Sequence, residues 1–282
     1  MMLDLSIIIV NINNRKLLKE CLASIYRHTH KISFEIIVSD NASTDGSQLM
    51  VKKDFPKVFL IENQENLGFI KASNQGLKKY QARYAMLLND DTVIKEGALD
   101  IMVEFMEQNK SAGACGAKLL NVDGTTQRQG GILGKKFWLS SQPVPVDFVI
   151  GAALLVRREV IDKIGRLDEN LFFYNDDLDW CLRVRKAGWK VYYVPQAEII
   201  HYGGYSSRRT FNPRLFVEGF RGGLYYCRKH YGEFAYHLYR LLLALLLTIA
   251  LPFQILSKEK FKAYGQIILI SLIGQIPKPV LK

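Results

Sequence analysis

Leu87-Leu88-Asn89-Asp90-Asp91-Thr92 joins the end of an apolar run to two adjacent carboxylates. The run from 84 to 88 has the length and composition of a buried strand. In open α/β sheets, ligands bind beyond the carboxyl ends of the strands, which is where these carboxylates are expected. Two neighbouring carboxylates repel each other, and a divalent cation held together with substrate phosphate relieves that repulsion. Asn and Asp are also common in strand-ending turns, so this stretch alone leaves a metal site and a plain turn both open.

Strand patterns alternate with helical patterns on both sides of this stretch. Apolar runs cover 5–10, 34–38 and 58–61, and apolar residues at helical spacing follow each of them. The alternation predicts an α/β fold with a mostly parallel central sheet flanked by helices. Right-handed crossovers bring the ends of successive strands to one edge, so we expect a nucleotide pocket there. The polar residues that follow the strand ends are Asn11, Asn13, Asp40, Asn41, Asn66, Asp90 and Asp91.

A second acidic cluster, Asp176-Asp177-Leu178-Asp179, follows the aromatic residues at 172–174. A helix is predicted to start within this cluster, and carboxylates are favoured at a helix N-terminus by the helix dipole. Three carboxylates in four residues exceed what capping needs, however, and predict a catalytic group. Further along, His201 follows a short apolar run. It is either a structural histidine or an imidazole ligand of the metal.

The C-terminal part of the chain carries most of the net charge of +11, because residues 201–282 hold 12 basic and 3 acidic side chains. Aromatic residues are interleaved with the basic ones, and two apolar runs at 241–256 and 267–276 flank three lysines. Each run is shorter than the roughly 20 residues that span a bilayer. We expect residues 211–282 to form a helical extension on an anionic membrane surface. A buried hairpin, a contact with another subunit, and single-stranded nucleic acid are the alternatives.

Composition and cysteine usage restrict the class of protein. A hydrophobic content of 49% and a charged content of 23% are ordinary for a globular chain and exclude a disordered one. The four cysteines lack the paired spacing of a zinc site or a disulfide framework, which indicates a reducing compartment. The N-terminus has no signal-peptide pattern. We therefore expect a cytoplasmic protein, peripheral on the cytoplasmic face of the bacterial inner membrane.

Taken in order, these motifs resemble glycosyltransferase family 2, which has the GT-A fold, and within it the bacterial rhamnosyltransferase-like branch. The resemblance covers about residues 3–210. It is carried by an ordered set of short motifs: Ser6–Asn11, Val38–Ser47, Asn66–Phe69 with Asn74, Leu88–Thr92, Gly151-Ala152, Arg157-Arg158, Gly165–Glu169, Phe172–Asp179 and His201–Ser206.

The resemblance implies a metal-dependent, inverting hexosyltransferase. It would move a sugar, with rhamnose from dTDP-rhamnose as the favoured donor, to a hydroxyl of a glycan or lipid-linked acceptor in cell-surface polysaccharide synthesis. Asp91 would coordinate most of the Mg²⁺ or Mn²⁺, because the first position of the metal triplet is Asn89, and His201 would contact the metal or the diphosphate. Asp176-Asp177 matches a Glu-Asp pair whose second member is the general base.

The resemblance also implies how the chain is divided and which residues hold the donor. A nucleotide-sugar half would cover about 1–92, an acceptor half 93–210, and the helices of 211–282 could support an oligomer. Asp40 would read the nucleotide base. The other expected donor-binding residues are Val10, Asn11, Asn13, Asn41, Asn66, Gly68, Phe69, Asn74, Asn89, Asp90, Gly151, Arg208 and Arg209.

Three other functions compete with transfer. A phosphatase built on Asp-x-Asp-x-Thr would need Asp at position 89 and would carry this motif nearer the N-terminus. A sugar nucleotidyltransferase would show a Gly-rich basic loop after its first strand. Neither pattern is present. A non-catalytic membrane-bound module that binds nucleotide sugars or glycans is the main alternative. It is disfavoured because both acidic clusters and His201 are present, and no nucleic-acid partner is expected.

Overall fold

The computed structural model describes residues 2–130, 136–172, 174–203 and 211–276. The chain divides into two compact units. The first comprises Met1–Leu167 and Asp177–Gly204, and the second comprises Asp168–Asp176 and Tyr205–Lys282.

The first unit is an α/β sheet with helices between its strands. The strands are β1 Leu5–Asn11, β2 Phe34–Asp40, β3 Phe59–Glu62, β4 Tyr84–Asn89, β5 Thr92–Ile94, β6 Ala112–Leu120, β7 Val144–Val146, β8 Ala153–Arg157 and β9 Lys190–His201. In the sheet they run in the order β3-β2-β1-β4-β8-β6-β9-β5, with β7 also paired to β9. The helices are α1 Arg15–His28, α2 Ser47–Asp54, α3 Phe69–Lys79, α4 Ala98–Gln108, α5 Arg158–Ile164 and α6 Asp176–Lys186. The first residue of α6, Asp176, is the one residue of this helix that is assigned to the second unit. A 3₁₀ turn covers Phe137–Leu139.

The first four strands in chain order pair in parallel, and the later ones pair in both senses. β1 is parallel to β2 and β4, and β2 is parallel to β3. β8 is antiparallel to both β4 and β6, whereas β6 and β9 are parallel. The short strands β5 and β7 are antiparallel to β9. The mixed α/β sheet with flanking helices agrees with the fold class expected from the sequence.

Burial of β1 on both faces explains its nearly continuous apolar sequence. Ile7, Ile8 and Ile9 are at most 1% exposed, as is usual for a parallel strand covered by helices on both sides. Gly76 in α3 allows one of these helices to approach closely, because a Cβ at that position would lie 2.6 Å from Cγ2 of Ile8. The register then aligns the carboxyl ends of the central strands, with Asn11 opposite Asp40 and Val10 opposite Asn89.

The second unit is a helical hairpin. Helix α7 covers Pro213–Ala250, a 3₁₀ turn covers Leu251–Gln254, and α8 covers Lys258–Ile273. Gly232 interrupts α7 with non-helical angles, φ 83° and ψ 178°, so the helix has a first half at 213–231 and a second half from 233. The guanidinium of Arg240 donates to the carbonyls of Ser271 and Leu272, at 2.8 and 3.0 Å, and thereby fixes the end of α8 to the second half of α7.

The hairpin has one buried face and one exposed apolar face. Leu243 and Leu247 are 7% exposed and pack with α8, whereas Leu246 is 63% and Phe253 80% exposed. Within the described chain, residues 213–254 form the one helical stretch long and apolar enough to cross a membrane, and only 22% of its most apolar window is buried. The apolar run at 241–256 is thus the continuation of a long helix rather than a separate short helix.

Candidate active site

The carboxyl end of β4 brings Asn89, Asp91 and His201 together. Strand β5 pairs antiparallel with β9 so that Thr92 lies opposite His201. The hydroxyl of Thr92 donates to the carbonyl of Asn89 at 2.8 Å, which closes the turn between β4 and β5. Nε2 of His201 then lies 3.2 Å from Nδ2 of Asn89 and 3.3 Å from Oδ1 of Asp91. Asp91 and His201 are both buried, at 7% and 9% exposed.

Gln127 fixes the tautomer of His201. Nε2 of Gln127 donates to Oδ1 of Asn121 (3.1 Å) and to the carbonyl of His201 (3.3 Å), so the amide oxygen is left as an acceptor. That oxygen lies 2.8 Å from Nδ1 of His201, which therefore carries the proton. In the neutral ring, Nε2 has its lone pair on the side of Asn89 and Asp91. An imidazole in this state is ready to coordinate a cation.

The sequence contained no signal for Gln127. It lies in a loop, and it reaches the site because the turn at 121–125 returns the chain to the edge of β6. Its backbone N–H donates to the carbonyl of Leu119 at 2.8 Å. A glutamine in a polar loop resembles any other, and only the folded loop shows its contact with His201.

The donor set at this edge fits a divalent cation that the substrate helps to coordinate. Asp91 offers a carboxylate and His201 a lone pair, 3.3 Å apart. Across the described residues, no group of three or more His, Cys, Asp or Glu side chains could hold a metal ion. Mg²⁺ and similar ions commonly take one or two protein ligands and complete their shell with water and substrate phosphates. The residues present fit that mode of binding.

Asp90, the middle residue of the triplet, is a strongly perturbed carboxyl at this edge. Loss of solvent and the neighbouring Asp91 raise its pKa to about 8, and a hydrogen bond from Asn14 acts in the opposite direction. A positive charge nearby would favour its ionised form. The crowding of carboxylates that the sequence indicated is therefore present in the structure.

The ends of β1 and β2 are fixed to each other through Asp40. This carboxylate is 1% exposed and accepts hydrogen bonds from Asn11 Nδ2 (2.7 Å), the Ser43 N–H (2.9 Å) and Gln48 Nε2 (2.7 Å). Asn13, in the left-handed region at φ 48°, accepts from the Thr44 N–H at 2.7 Å. These bonds order the loops at the carboxyl ends of β1 and β2, beside β4.

Further donor-site candidates lie around the start of α3. The side-chain oxygen of Asn41 accepts from Asn63 at 3.0 Å, and that of Asn66 accepts from the Gly68 N–H at 2.9 Å. Gly68 has φ 78° and immediately precedes Phe69, the first residue of α3. Val10, near the end of β1, is partly exposed.

Asn74 faces the backbone of Leu167. Its Nδ2 donates to the Leu167 carbonyl at 2.9 Å, and its Oδ1 accepts from the Leu167 N–H at 3.1 Å. Through these bonds it ties α3 to the chain that leads toward the second acidic cluster. Any effect of Asn74 on a donor would therefore be indirect, through these hydrogen bonds to Leu167.

Asp177 lies at the same edge of the sheet as Asn89. The N–H of Asn89 donates to the carbonyl of Ala152 at 3.0 Å, and the adjacent Gly151 N–H donates to Oδ2 of Asp177 at 3.3 Å. Burial raises the pKa of Asp177, while its hydrogen bonds from the backbone of Leu178 and Gly151 act to lower it. A carboxylate with a raised pKa is a stronger proton acceptor.

The other carboxylates of the second cluster differ from Asp177. Asp176 is buried, at 7% exposed, and is grouped with the second unit. Asp179 is paired with Arg183, one turn later in α6, at 2.8 Å. Arg183 also donates to the carbonyls of Ile164 and Arg166, so this pair holds α6 in place. Arg208 and Arg209 lie outside the described residues.

Residues 6–165 match the sequence profile of glycosyl transferase family 2. The chain belongs to this family. The glycosyltransferase is 29% identical, over 228 residues, to N-acetylglucosaminyl-diphospho-decaprenol L-rhamnosyltransferase of Mycobacterium tuberculosis. That alignment covers 68% of this chain and 74% of the mycobacterial protein.

Solved structures show the same fold. GalNAc-T7 with UDP, GalNAc and Mn²⁺ superposes with a TM-score of 0.65 at 16% identity, over 98% of the glycosyltransferase but only 58% of the GalNAc-T7 chain. The mannosyltransferase PcManGT from Pyrobaculum calidifontis, with GDP-Man and Mn²⁺, gives a TM-score of 0.62 at 14% identity and covers 97% and 87% of the two chains. These likenesses concern the fold. The family and GT-A fold expected from the sequence motifs are confirmed.

Proposed function

We propose that the enzyme is a metal-dependent, inverting hexosyltransferase that uses a nucleotide diphosphate sugar, with Asp91 and His201 as metal ligands and Asp177 as general base. The observation that carries the proposal is the shared edge: Asn89 bonds to Ala152 (3.0 Å), and the adjacent Gly151 bonds to Asp177 (3.3 Å). The metal triplet and the second acidic cluster therefore lie within reach of one substrate.

The chemistry divides between the two carboxylates. A bound Mg²⁺ or Mn²⁺ would neutralise the charge that develops on the departing nucleotide diphosphate. Asp91 and His201 would bind the cation, and Gln127 would orient the ring of His201 by accepting the Nδ1 proton. Asp177 takes the proton from the acceptor hydroxyl, which is a poor nucleophile without a base. A single displacement with one base inverts the sugar centre, as it does in inverting glycosidases.

The donor-binding surface would be built from the strand-end loops of about 1–92, with Asp40 nearest the base and the acceptor half at 93–210. The residues proposed to contact the donor are Val10, Asn11, Asn13, Asp40, Asn41, Asn66, Gly68, Phe69, Asn89, Asp90 and Gly151, with Arg208 and Arg209 near phosphates and Asn74 acting through Leu167. Rhamnose from dTDP-rhamnose is the favoured donor. The resemblance to a protein named as an L-rhamnosyltransferase, at 29% identity, supports that choice.

The acceptor is proposed to be a sugar on a polyprenyl diphosphate, at the cytoplasmic face of a bacterial inner membrane. The name of the mycobacterial relative, which includes a diphospho-decaprenol acceptor, supports a lipid-linked substrate. The exposed apolar residues of the C-terminal hairpin support contact with a bilayer, and the 12 basic residues of 201–282 favour an anionic one. The product would serve cell-surface polysaccharide synthesis.

A panel of nucleotide sugars tests this function. The full-length protein is incubated with each donor and a polyprenyl-linked acceptor, and both released nucleotide and glycosylated lipid are measured. We expect one donor, dTDP-rhamnose, to give release that depends on acceptor and on Mg²⁺ or Mn²⁺. Donor binding without release of nucleotide from any donor would favour the non-catalytic binding module instead.

A further inference from the structure

The residues that directly precede Asp176 and Asp177 in the chain are held by the first half of α7. At the start of this segment, Oδ2 of Asp168 accepts hydrogen bonds from Lys229 Nζ at 2.7 Å and from the hydroxyl of Tyr225 at 2.8 Å. Burial alone would raise the pKa of Asp168, but these bonds, together with those from Asn170, hold it well below its usual range. The carboxylate is thus fixed in its charged, bonded form.

A buried ion pair holds the middle of the segment. Arg221, 2% exposed, pairs with Glu218 at 2.6 Å and donates from Nη2 to the carbonyl of Asn170 at 3.0 Å. A buried guanidinium is costly unless its donors are bonded. Moving the backbone at Asn170 would break one of these bonds, so the segment is restrained at this point as well.

Asn175 makes the last contact before the acidic pair. Tyr174 and Asn175 both lie in the left-handed region, at φ 63° each, a conformation that non-glycine residues keep only when their surroundings enforce it. Nδ2 of Asn175 donates to the carbonyl of Gly219 in α7 at 3.0 Å. Gly222, one turn further, leaves the space that Asn175 occupies, because a Cβ there would lie 2.8 Å from Nδ2 of Asn175 and 3.3 Å from Cδ2 of Leu171.

We propose that the first half of α7 is a positioning element for the backbone that leads into the second acidic cluster, and that Asn175 and Gly222 are its positioning residues. By holding Asp168, Asn170 and Asn175, the helix restrains the residues from which the chain continues into Asp176 and Asp177. The inference rests on the proposed role of Asp177. A base must lie within hydrogen-bond reach of the acceptor hydroxyl, and a displacement of about 1 Å can cost on the order of 10²-fold in rate.

Two alanine substitutions in the same helix test the proposal with a built-in control. Gly222→Ala places a Cβ against Asn175, whereas Gly219→Ala places one 3.4 Å from Cδ2 of Tyr174, an ordinary contact. Both changes raise helix propensity equally. We expect Gly222→Ala to lower kcat by roughly 10²-fold with KM for the donor and nucleotide diphosphate affinity unchanged. Gly219→Ala should behave as the wild-type enzyme.

A double-mutant cycle tests whether the effect passes through Asn175. Asn175→Gly keeps the left-handed backbone accessible but removes the amide that bonds Gly219. We expect it to lower kcat as Gly222→Ala does, and the double variant to be no slower than Asn175→Gly, because the colliding group is gone. Fully additive losses would mean that the two residues act independently and would overturn the proposal.

Amide hydrogen exchange of the full-length variants provides a readout that does not depend on activity. We expect faster exchange at 168–175 in Gly222→Ala, with β1 and β4 unchanged. Unchanged exchange, unchanged kcat, or an equal loss of nucleotide affinity would each contradict a positioning role. If the wild-type protein transfers no sugar, the proposed function fails, and the exchange result still decides whether α7 holds this segment.

Discussion

Both ring nitrogens of His201 have partners in the site, and the two nitrogens serve different purposes. Gln127 accepts the proton of Nδ1, and Nε2 faces Asn89 and Asp91. The sequence predicts His201 as a ligand but not the residue that orients it. Outer partners of a metal-binding histidine commonly change metal affinity by about 10–100-fold when they are removed.

Gln127→Met should release His201 from a single tautomer. Methionine fills similar space but cannot accept the Nδ1 proton, so ¹⁵N shifts of the imidazole should move from the Nδ1–H pattern toward a mixture. Mn²⁺ affinity in the presence of nucleotide diphosphate should fall by about 10–100-fold. Gln129→Met is the matched control, since Gln129 is also buried in the same loop but donates to the Ala117 carbonyl at 3.1 Å. Equal effects of the two variants would contradict the role of Gln127.

Asp91→Ala should abolish the metal-dependent part of donor binding, because it removes a carboxylate that lies 3.3 Å from Nε2 of His201. Calorimetry of nucleotide diphosphate binding, with Mn²⁺ and with EDTA, measures that part. We expect the wild-type affinity to fall in EDTA to the level of Asp91→Ala, and the variant to show no response to Mn²⁺. Full transfer activity in EDTA would refute a metal-dependent mechanism.

The elements of the nucleotide half follow from its sequence pattern, whereas several later elements do not. β1, β2 and β4 are largely buried apolar runs, and burial on both faces makes such runs recognisable. β5 and β7 have three residues each, and their pairing with β9 is set by tertiary contacts that a local pattern does not contain. The run at 148–156 reads as one strand, but β8 begins only at Ala153.

The features that bear on function can be divided in the same way into those that the sequence predicts and those that it does not. The strand-end clusters could be predicted because parallel topology alone brings them to one edge. The attachment of 168–175 to α7 depends on contacts more than 40 residues apart in the chain, such as Asn175 with Gly219. The break at Gly232 lies within otherwise helical sequence, and a lone glycine in such a pattern is usually tolerated without a break.

The two faces of the hairpin should respond differently to substitution. Leu246→Glu changes a residue that is 63% exposed, whereas Leu247→Ala changes one that is 7% exposed. We expect Leu246→Glu to weaken sedimentation with anionic vesicles while leaving the thermal unfolding temperature unchanged. Leu247→Ala should lower the free energy of unfolding by about 2–5 kcal/mol, the usual cost of a buried Leu→Ala change. Unaltered vesicle binding by Leu246→Glu would argue against a lipid-facing surface.

At the scale of the whole molecule, charge and apolar exposure coincide in the C-terminal part, which also holds the helices of the second unit. Each basic residue near an anionic surface adds on the order of 1 kcal/mol, and this contribution is screened by salt. Apolar insertion is not screened. We therefore expect washing with high salt to release little of the protein from membranes and detergent to release it. Complete release by salt alone would contradict insertion of the apolar face.

Truncation after about Tyr236 should affect transfer to a lipid-linked acceptor but not hydrolysis of the donor. The shortened chain keeps the residues of the first half of α7 that contact Asp168, Asn170 and Asn175, but loses the apolar hairpin. We expect donor hydrolysis to persist and transfer to a polyprenyl-linked acceptor to fall, because the enzyme no longer meets that acceptor at the membrane. Transfer at the full-length rate would mean that the hairpin serves as a core or oligomer contact instead.

The proton transfer assigned to Asp177 is the central claim, and the kcat of Asp177→Asn tests it most directly. Asparagine keeps the shape of the side chain but cannot accept a proton. The account predicts a fall in kcat of about 10²–10⁴-fold, with nucleotide diphosphate affinity unchanged and with Asp176→Asn close to wild type. Near-normal turnover by Asp177→Asn, with Asp176→Asn as the impaired variant, would contradict it.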